Sequence, residues 1–164
     1  MATKYSDIVD LRSGRSTYYL EEEKAGDWSV FIVNDQFNDI LRTVVRSVMN
    51  NDLDAHKSFW IEGTYGTGKT HAGAVLKHLL CDDVSAIEEW LREEYKLPKF
   101  EGLCQSVFDL RKKKRLFPVT LYGASSIAHP DDLSLQLQQK IQEALIKAGL
   151  TDLEVKTDYD TYIK

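Results

Sequence analysis

At 164 residues, the chain is long enough for one domain with a substantial core and too short for two. Its hydrophobic fraction of 43% and charged fraction of 29% are those of an ordinary soluble globular protein, and a net charge of -5 argues against broad non-specific binding of nucleic acid. No apolar run approaches the roughly 20 residues that span a bilayer, no apolar h-region follows Met1, and Cys81 and Cys104 lack metal-like spacing, so the expectation is a cytoplasmic protein with free thiols and no membrane contact.

In chain order, residues 1–27 form a polar preface in which Ser16-Thr17-Tyr18-Tyr19-Leu20 has strand character and Glu21, Glu22 and Glu23 read as a solvated turn. Trp28-Ser29-Val30-Phe31-Ile32-Val33 reads as a second extended apolar run. Asn34 or Asp35 can cap the helix after it, whose apolar residues Phe37, Ile40, Leu41, Val44, Val45, Val48 and Met49 recur at offsets of three and four. Lys57-Ser58-Phe59-Trp60-Ile61-Glu62 is expected to be a buried strand. After it comes a glycine-rich turn, then a helix with an apolar stripe from His71 to Leu80.

Residues 81–115 read as a helical insertion. One helix starts near Asp82 and Asp83 and carries Ile87, Trp90, Leu91 and Tyr95. Pro98 interrupts it, and a second helix over residues 102–114 turns Leu103, Val107 and Leu110 inward. Residues 116–122 are the next expected strand, followed by Gly123, Ala124, Ser125 and Ser126. Pro130, Asp131 and Asp132 then open a helix that Gly149 stops, and residues 151–164 form a tail. Trp28, Trp60 and Trp90 fit core positions. The alternation of strand and helix implies an α/β fold with a parallel sheet.

The turn is the sharpest chemical signal. Gly63-Thr64-Tyr65-Gly66-Thr67-Gly68-Lys69-Thr70 matches the phosphate-binding pattern G-x-x-x-x-G-K-[ST]. From average composition, such a match arises by chance in roughly one chain of this length in two hundred. Glycines free the backbone to aim successive N–H groups at phosphate oxygens, and the helix N-terminus adds unpaired donors and positive dipole. Lys69 brings a charge to the β- and γ-phosphates, and the Thr70 hydroxyl is placed for Mg²⁺. The expected ligand is therefore a nucleoside triphosphate, ATP or GTP, with Mg²⁺, held by residues 63–70. Tyr65 reads as a surface ring.

A hydrolysing P-loop enzyme also needs an apolar strand ending in Asp to hold Mg²⁺ and orient water. The strand expected over residues 116–122 runs into Gly123 instead, and Asp158 and Asp160 lie in a polar stretch. No catalytic residue is identifiable. The expectation is the N-terminal portion of a larger P-loop NTPase, with an incomplete parallel sheet, flanking helices and open edges that a partner would close.

The segment from Phe59 through the loop to His71, with the Leu79-Leu80 pair after it, resembles large bacterial P-loop ATPases of phage-defence loci, of the kind found in the BREX system. The extended run Phe31-Ile32-Val33-Asn34-Asp35 and the strand-like residues 117–126 share in the likeness, which covers roughly residues 28–148. The resemblance implies an AAA+-like module that binds ATP. Its partners would be further copies of itself or other subunits of a defence complex, with nucleic acid as a possible additional one. It also implies that Ile32 and Val33 lie against the adenine base, the alternative being a core strand. His71, grouped with the nucleotide-binding residues, is then expected to point into the helix–sheet interface and make a structural hydrogen bond, the alternative being a catalytic role. Two weaker signals remain: the basic run Arg111-Lys112-Lys113-Lys114-Arg115, which suits a phosphate contact or a helix C-terminus, and Ser125 and Ser126, placed past a strand end. A nucleotide-dependent assembly module that binds ATP without hydrolysing it is the alternative to an ATPase.

Overall fold

The computed structural model describes Tyr18 and residues 23–52, 57–121 and 128–150. The elements are a 3-10 turn (Asp27–Val30), α1 (Asp35–Met49), α2 (Lys69–Cys81), α3 (Val84–Glu94), a second 3-10 turn (Pro98–Phe100), α4 (Glu101–Lys113) and α5 (Pro130–Lys147). Among the described residues there is no β-strand, so the expected α/β fold with an incomplete parallel sheet is corrected to a helical one.

The correction has a physical reason. An apolar, β-branched run favours extended backbone, but a strand exists only where a neighbour takes its N–H and C=O groups. Residues 57–64 and 114–121 form no strand or bridge with any other described residues. Trp28, placed in a strand by its apolar neighbours, instead lies in the 3-10 turn, whose Phe31 N–H closes on the Trp28 carbonyl at 3.2 Å. Trp60, expected in the core, is 90% exposed. Of the strand expected over residues 16–20 only Tyr18 lies within the described residues. Glu21, Glu22, Gly123, Ala124, Ser125, Ser126, Asp158 and Asp160 lie outside them.

The helices themselves follow their sequence signals closely. Asn34 caps α1, its side chain accepting the Phe37 N–H at 2.8 Å, and the predicted face delivers Phe37, Leu41, Val44 and Val45 to the interior. The described residues divide into two compact units at Leu116 and Phe117. In the first, α4 is the central helix, packed against α1, α2 and α3. Phe37, Leu41, Val75, Leu79, Ile87, Leu91, Val107 and Leu110 are fully buried there. Each contributes about 1.5–3 kcal/mol on leaving water, which makes this helical layer the main stabilising feature of the unit.

The basic run at the end of α4 has a structural use. Arg111 donates to the carbonyls of Leu80 and Asp82, at the C-terminus of α2. Lys114 donates to the Val48 carbonyl near the end of α1 at 2.6 Å. Two helix ends that would otherwise leave carbonyls unpaired are thus closed by cations from α4. Lys112, Lys113 and Arg115 stay exposed.

In the second unit, α5 begins at a capping box, where Asp132 accepts the His129 N–H at 2.8 Å. It ends at Gly149, whose φ of 73° is left-handed. It buries Leu145 and exposes Leu133, Leu137 and Ile146.

Candidate functional site

The glycine-rich run folds as a loop that enters α2. Gly66 and Gly68 have φ of 79° and 78°, a region in which a side chain is strained. Gly63 is required for a different reason: a Cβ there would stand 2.9 Å from Thr67 Oγ1. Thr67 in turn donates to the Thr64 carbonyl at 2.8 Å, which tightens the turn.

Gly68 is the N-cap of α2. It has no side chain to satisfy the first N–H groups, and the first turn carries no acidic residue. The N-terminus therefore keeps both its unpaired donors and its positive dipole end, the elements of an anion site. Lys69 folds back so that Nζ donates to the carbonyls of Gly63 at 2.7 Å and Thr64 at 2.6 Å. The ammonium is thus already held at the mouth of the loop. A phosphate arriving there would exchange two neutral carbonyl partners for charged oxygens, a stronger bond. Thr64, Tyr65, Thr67 and Thr70 are exposed, Tyr65 at 97%.

The remaining residues of the expected nucleotide set lie around the first turn of α2. His71 turns away from the loop: its Nε2–H donates to the Trp28 carbonyl at 3.1 Å, its ring stacks on Tyr18 with centroids 4.2 Å apart, and the Phe31 ring meets it edge-on at 5.1 Å. The Phe31 contact brings residues 31–33 beside the start of α2. Within that segment Ile32 is 70% exposed, while Val33 packs on the helical core.

One cluster was hidden from the sequence. Glu23, expected in a solvated turn, is nearly buried. It accepts from Lys77 Nζ at 2.5 Å, from His78 Nε2 at 2.6 Å and from the Tyr18 hydroxyl. His78 Nδ1 faces Asp82 at 2.6 Å, and its ring stacks on Trp28 at 5.1 Å. Trp90 meets Trp28 edge-on and donates from Nε1 to the Ser29 carbonyl at 2.7 Å. Burial works to raise the Glu23 carboxyl, but the three hydrogen bonds outweigh it and hold its pKa down at about 2. Burial and the neighbouring Glu23 charge push the Tyr18 hydroxyl above its usual range. The bonds from Glu23 span 54 and 55 residues of sequence, so no local pattern could have signalled them.

The described residues hold no group of three or more His, Cys, Asp or Glu side chains placed to hold a metal ion. No described helix is long and apolar enough to cross a membrane. Cys104 is buried and Cys81 half-buried; both are free, and burial raises both thiols. Comparison with models of known protein families, with curated proteins and with solved structures returned no match.

Proposed function

We propose that this chain binds the triphosphate of ATP, with Mg²⁺, at the loop of residues 63–70. The observation that carries the reading is the Lys69 ammonium, folded across the loop mouth onto the Gly63 and Thr64 carbonyls at the uncapped, acid-free start of α2. The backbone N–H groups around Gly66 and Gly68 and the Lys69 side chain would take the phosphate oxygens, and the Thr70 hydroxyl would join the coordination of Mg²⁺. Bound there, the metal would neutralise phosphate charge.

The chain then serves as the ATP-binding module of a cytoplasmic P-loop ATPase of the phage-defence kind. That placement is supported only by the sequence likeness of residues 59–71, the Leu79-Leu80 pair and the segments 31–35 and 117–126. Turnover by such a module would need an acidic element to position water.

A second reading is a module that binds ATP without hydrolysing it and uses the bound state to control assembly with further copies or other subunits. Trp60 and Tyr65, at 90% and 97% exposure on either side of Gly63, would supply aromatic contact area to such a partner.

Calorimetric titration with Mg²⁺–ATP followed by a single-turnover assay tests both readings. Saturable binding with phosphate release supports the ATPase, and binding without release supports the assembly module. No heat of binding removes both.

A further inference from the structure

His71 and His78 are seven residues apart on α2, so they lie on one face two turns from each other. Both hold the same stretch of chain. His71 donates to the Trp28 carbonyl and stacks on Tyr18; His78 stacks on Trp28 and donates to Glu23. Residues 23–31, with Tyr18, therefore lie along the phosphate-loop helix as a strap fastened at two histidines. One fastening directly follows Thr70; the other is two turns away.

The second fastening depends on a proton. Both His78 nitrogens face carboxylate oxygens at 2.6 Å, Glu23 on the strap and Asp82 at the end of α2. Neutral imidazole donates from only one nitrogen, and imidazolium from both. The other titratable and charged groups of the cluster are Lys77 from α2, which shares Glu23, the neutral Tyr18 hydroxyl, which also donates to Glu23 and feels Asp27, and Arg111 from α4, which holds the Leu80 and Asp82 carbonyls. Lys77 and Arg111 donate whatever the state of the ring, so His78 is the member of the cluster whose hold on the strap depends on whether one or both of its nitrogens carry a proton. On losing its proton the ring keeps one partner at most as a neutral donor. Asp82, the more exposed carboxylate, can swing into water, while the bond to Glu23 weakens from an ion pair to a neutral hydrogen bond.

We propose that the strap is a proton-operated clamp on the phosphate-loop helix: protonated His78 fastens it through Glu23, and its hold at His71 steadies the first turn that carries Lys69 and Thr70. The link to ligand affinity rests on the nucleotide reading above, whereas the clamp itself can be observed without nucleotide.

The test uses the whole chain. Amide hydrogen-exchange protection of residues 24–31 is measured at pH 5.5 and 8, corrected for intrinsic exchange, with the amides of α4 as the internal reference. Protection of the strap should fall about five- to tenfold at the higher pH, the difference between a charge-assisted and a neutral hydrogen bond. H78Q should show the weak protection at both values. If H78Q does not fold, E23Q reads the same contact from the strap side and should also be insensitive to pH. Equal wild-type protection at the two values, or wild-type sensitivity retained in H78Q or E23Q, overturns the clamp. The Mg²⁺–ATP Kd is then compared between wild type and H78Q at each pH, a ratio that cancels the titration of the nucleotide itself. The ratio should change severalfold in the direction of tighter wild-type binding at pH 5.5. A responsive strap with a constant ratio overturns the coupling to the site. A responsive strap with no binding at either pH overturns the nucleotide reading and leaves the clamp standing.

Discussion

Glu23 and His78, 55 residues apart in the chain, meet at 2.6 Å, and through that contact the segment before the first helix is tied to the helix that follows the glycine-rich loop. Hydrogen bonds from Lys77, Tyr18 and His78 to Glu23 also set an acid limit on stability. The Glu23 carboxyl lies at about 2 in the folded chain, against a reference value of 4.5. A group whose pKa is depressed by folding stabilises the fold above its unfolded value and loses that contribution as pH falls towards the folded one. Stability should therefore decline between about pH 4.5 and 2, and E23Q should flatten that part of the profile. Urea midpoints measured across the range check it.

Lys69→Ala should abolish Mg²⁺–ATP binding in calorimetry while leaving the far-ultraviolet dichroism unchanged. The side chain is half exposed and makes its bonds only within the loop, so its removal leaves the helical core intact. Unchanged affinity would remove the phosphate-loop assignment.

The cations at the end of α4 should divide sharply by substitution. Arg111→Ala leaves the carbonyls of Leu80 and Asp82 without their donor and should cost about 1–3 kcal/mol. Lys112→Ala and Lys113→Ala, at exposed positions, should stay within about 0.5 kcal/mol. Denaturant midpoints of the three variants give the comparison.

Leu91, fully buried on α3, and Trp60, 90% exposed before the loop, make opposite predictions although both looked like core residues. Leu91→Ala should destabilise by about 2–5 kcal/mol through the lost transfer energy and the cavity left behind. Trp60→Ala should change stability by less than about 0.5 kcal/mol. A large loss in the second variant would show that Trp60 is covered in solution.

Tyr95 is 3% exposed, and its hydroxyl has no hydrogen-bond partner among the described residues. Burial pushes that hydroxyl well above the usual tyrosine range. Tyr95→Phe removes an unpaired polar atom and keeps the ring that packs edge-on against Phe100 at 5.8 Å. The substitution should be neutral or stabilising by about 1 kcal/mol in thermal unfolding.

Much of this arrangement was legible from residue spacing. The apolar offsets in α1 and α4, the Asn34 cap and the stop at Gly149 are short-range patterns, and each acts through backbone a few residues away. The glycine-rich loop belongs to the same class: the left-handed Gly66 and Gly68, the close approach at Gly63 and the reach of Lys69 all lie within eight consecutive residues. Such features can be read locally because they are made locally.

Tertiary structure decided the rest. Phe59, Trp60 and Ile61 form an apolar run that favours extended backbone, but whether it becomes a strand depends on a partner that the run does not contain. The same holds for Glu23, a carboxylate in an acidic triplet whose burial depends on Lys77 and His78 arriving from α2. It holds also for the basic run, where Arg111 and Lys114 became helix caps because α1 and α2 end beside α4. By itself the sequence determined helices, caps and a glycine-rich loop, since each of these is built from backbone within a turn or two. Sheet pairing, side-chain burial and the partners of charged groups are long-range properties, and only the packed chain specifies them.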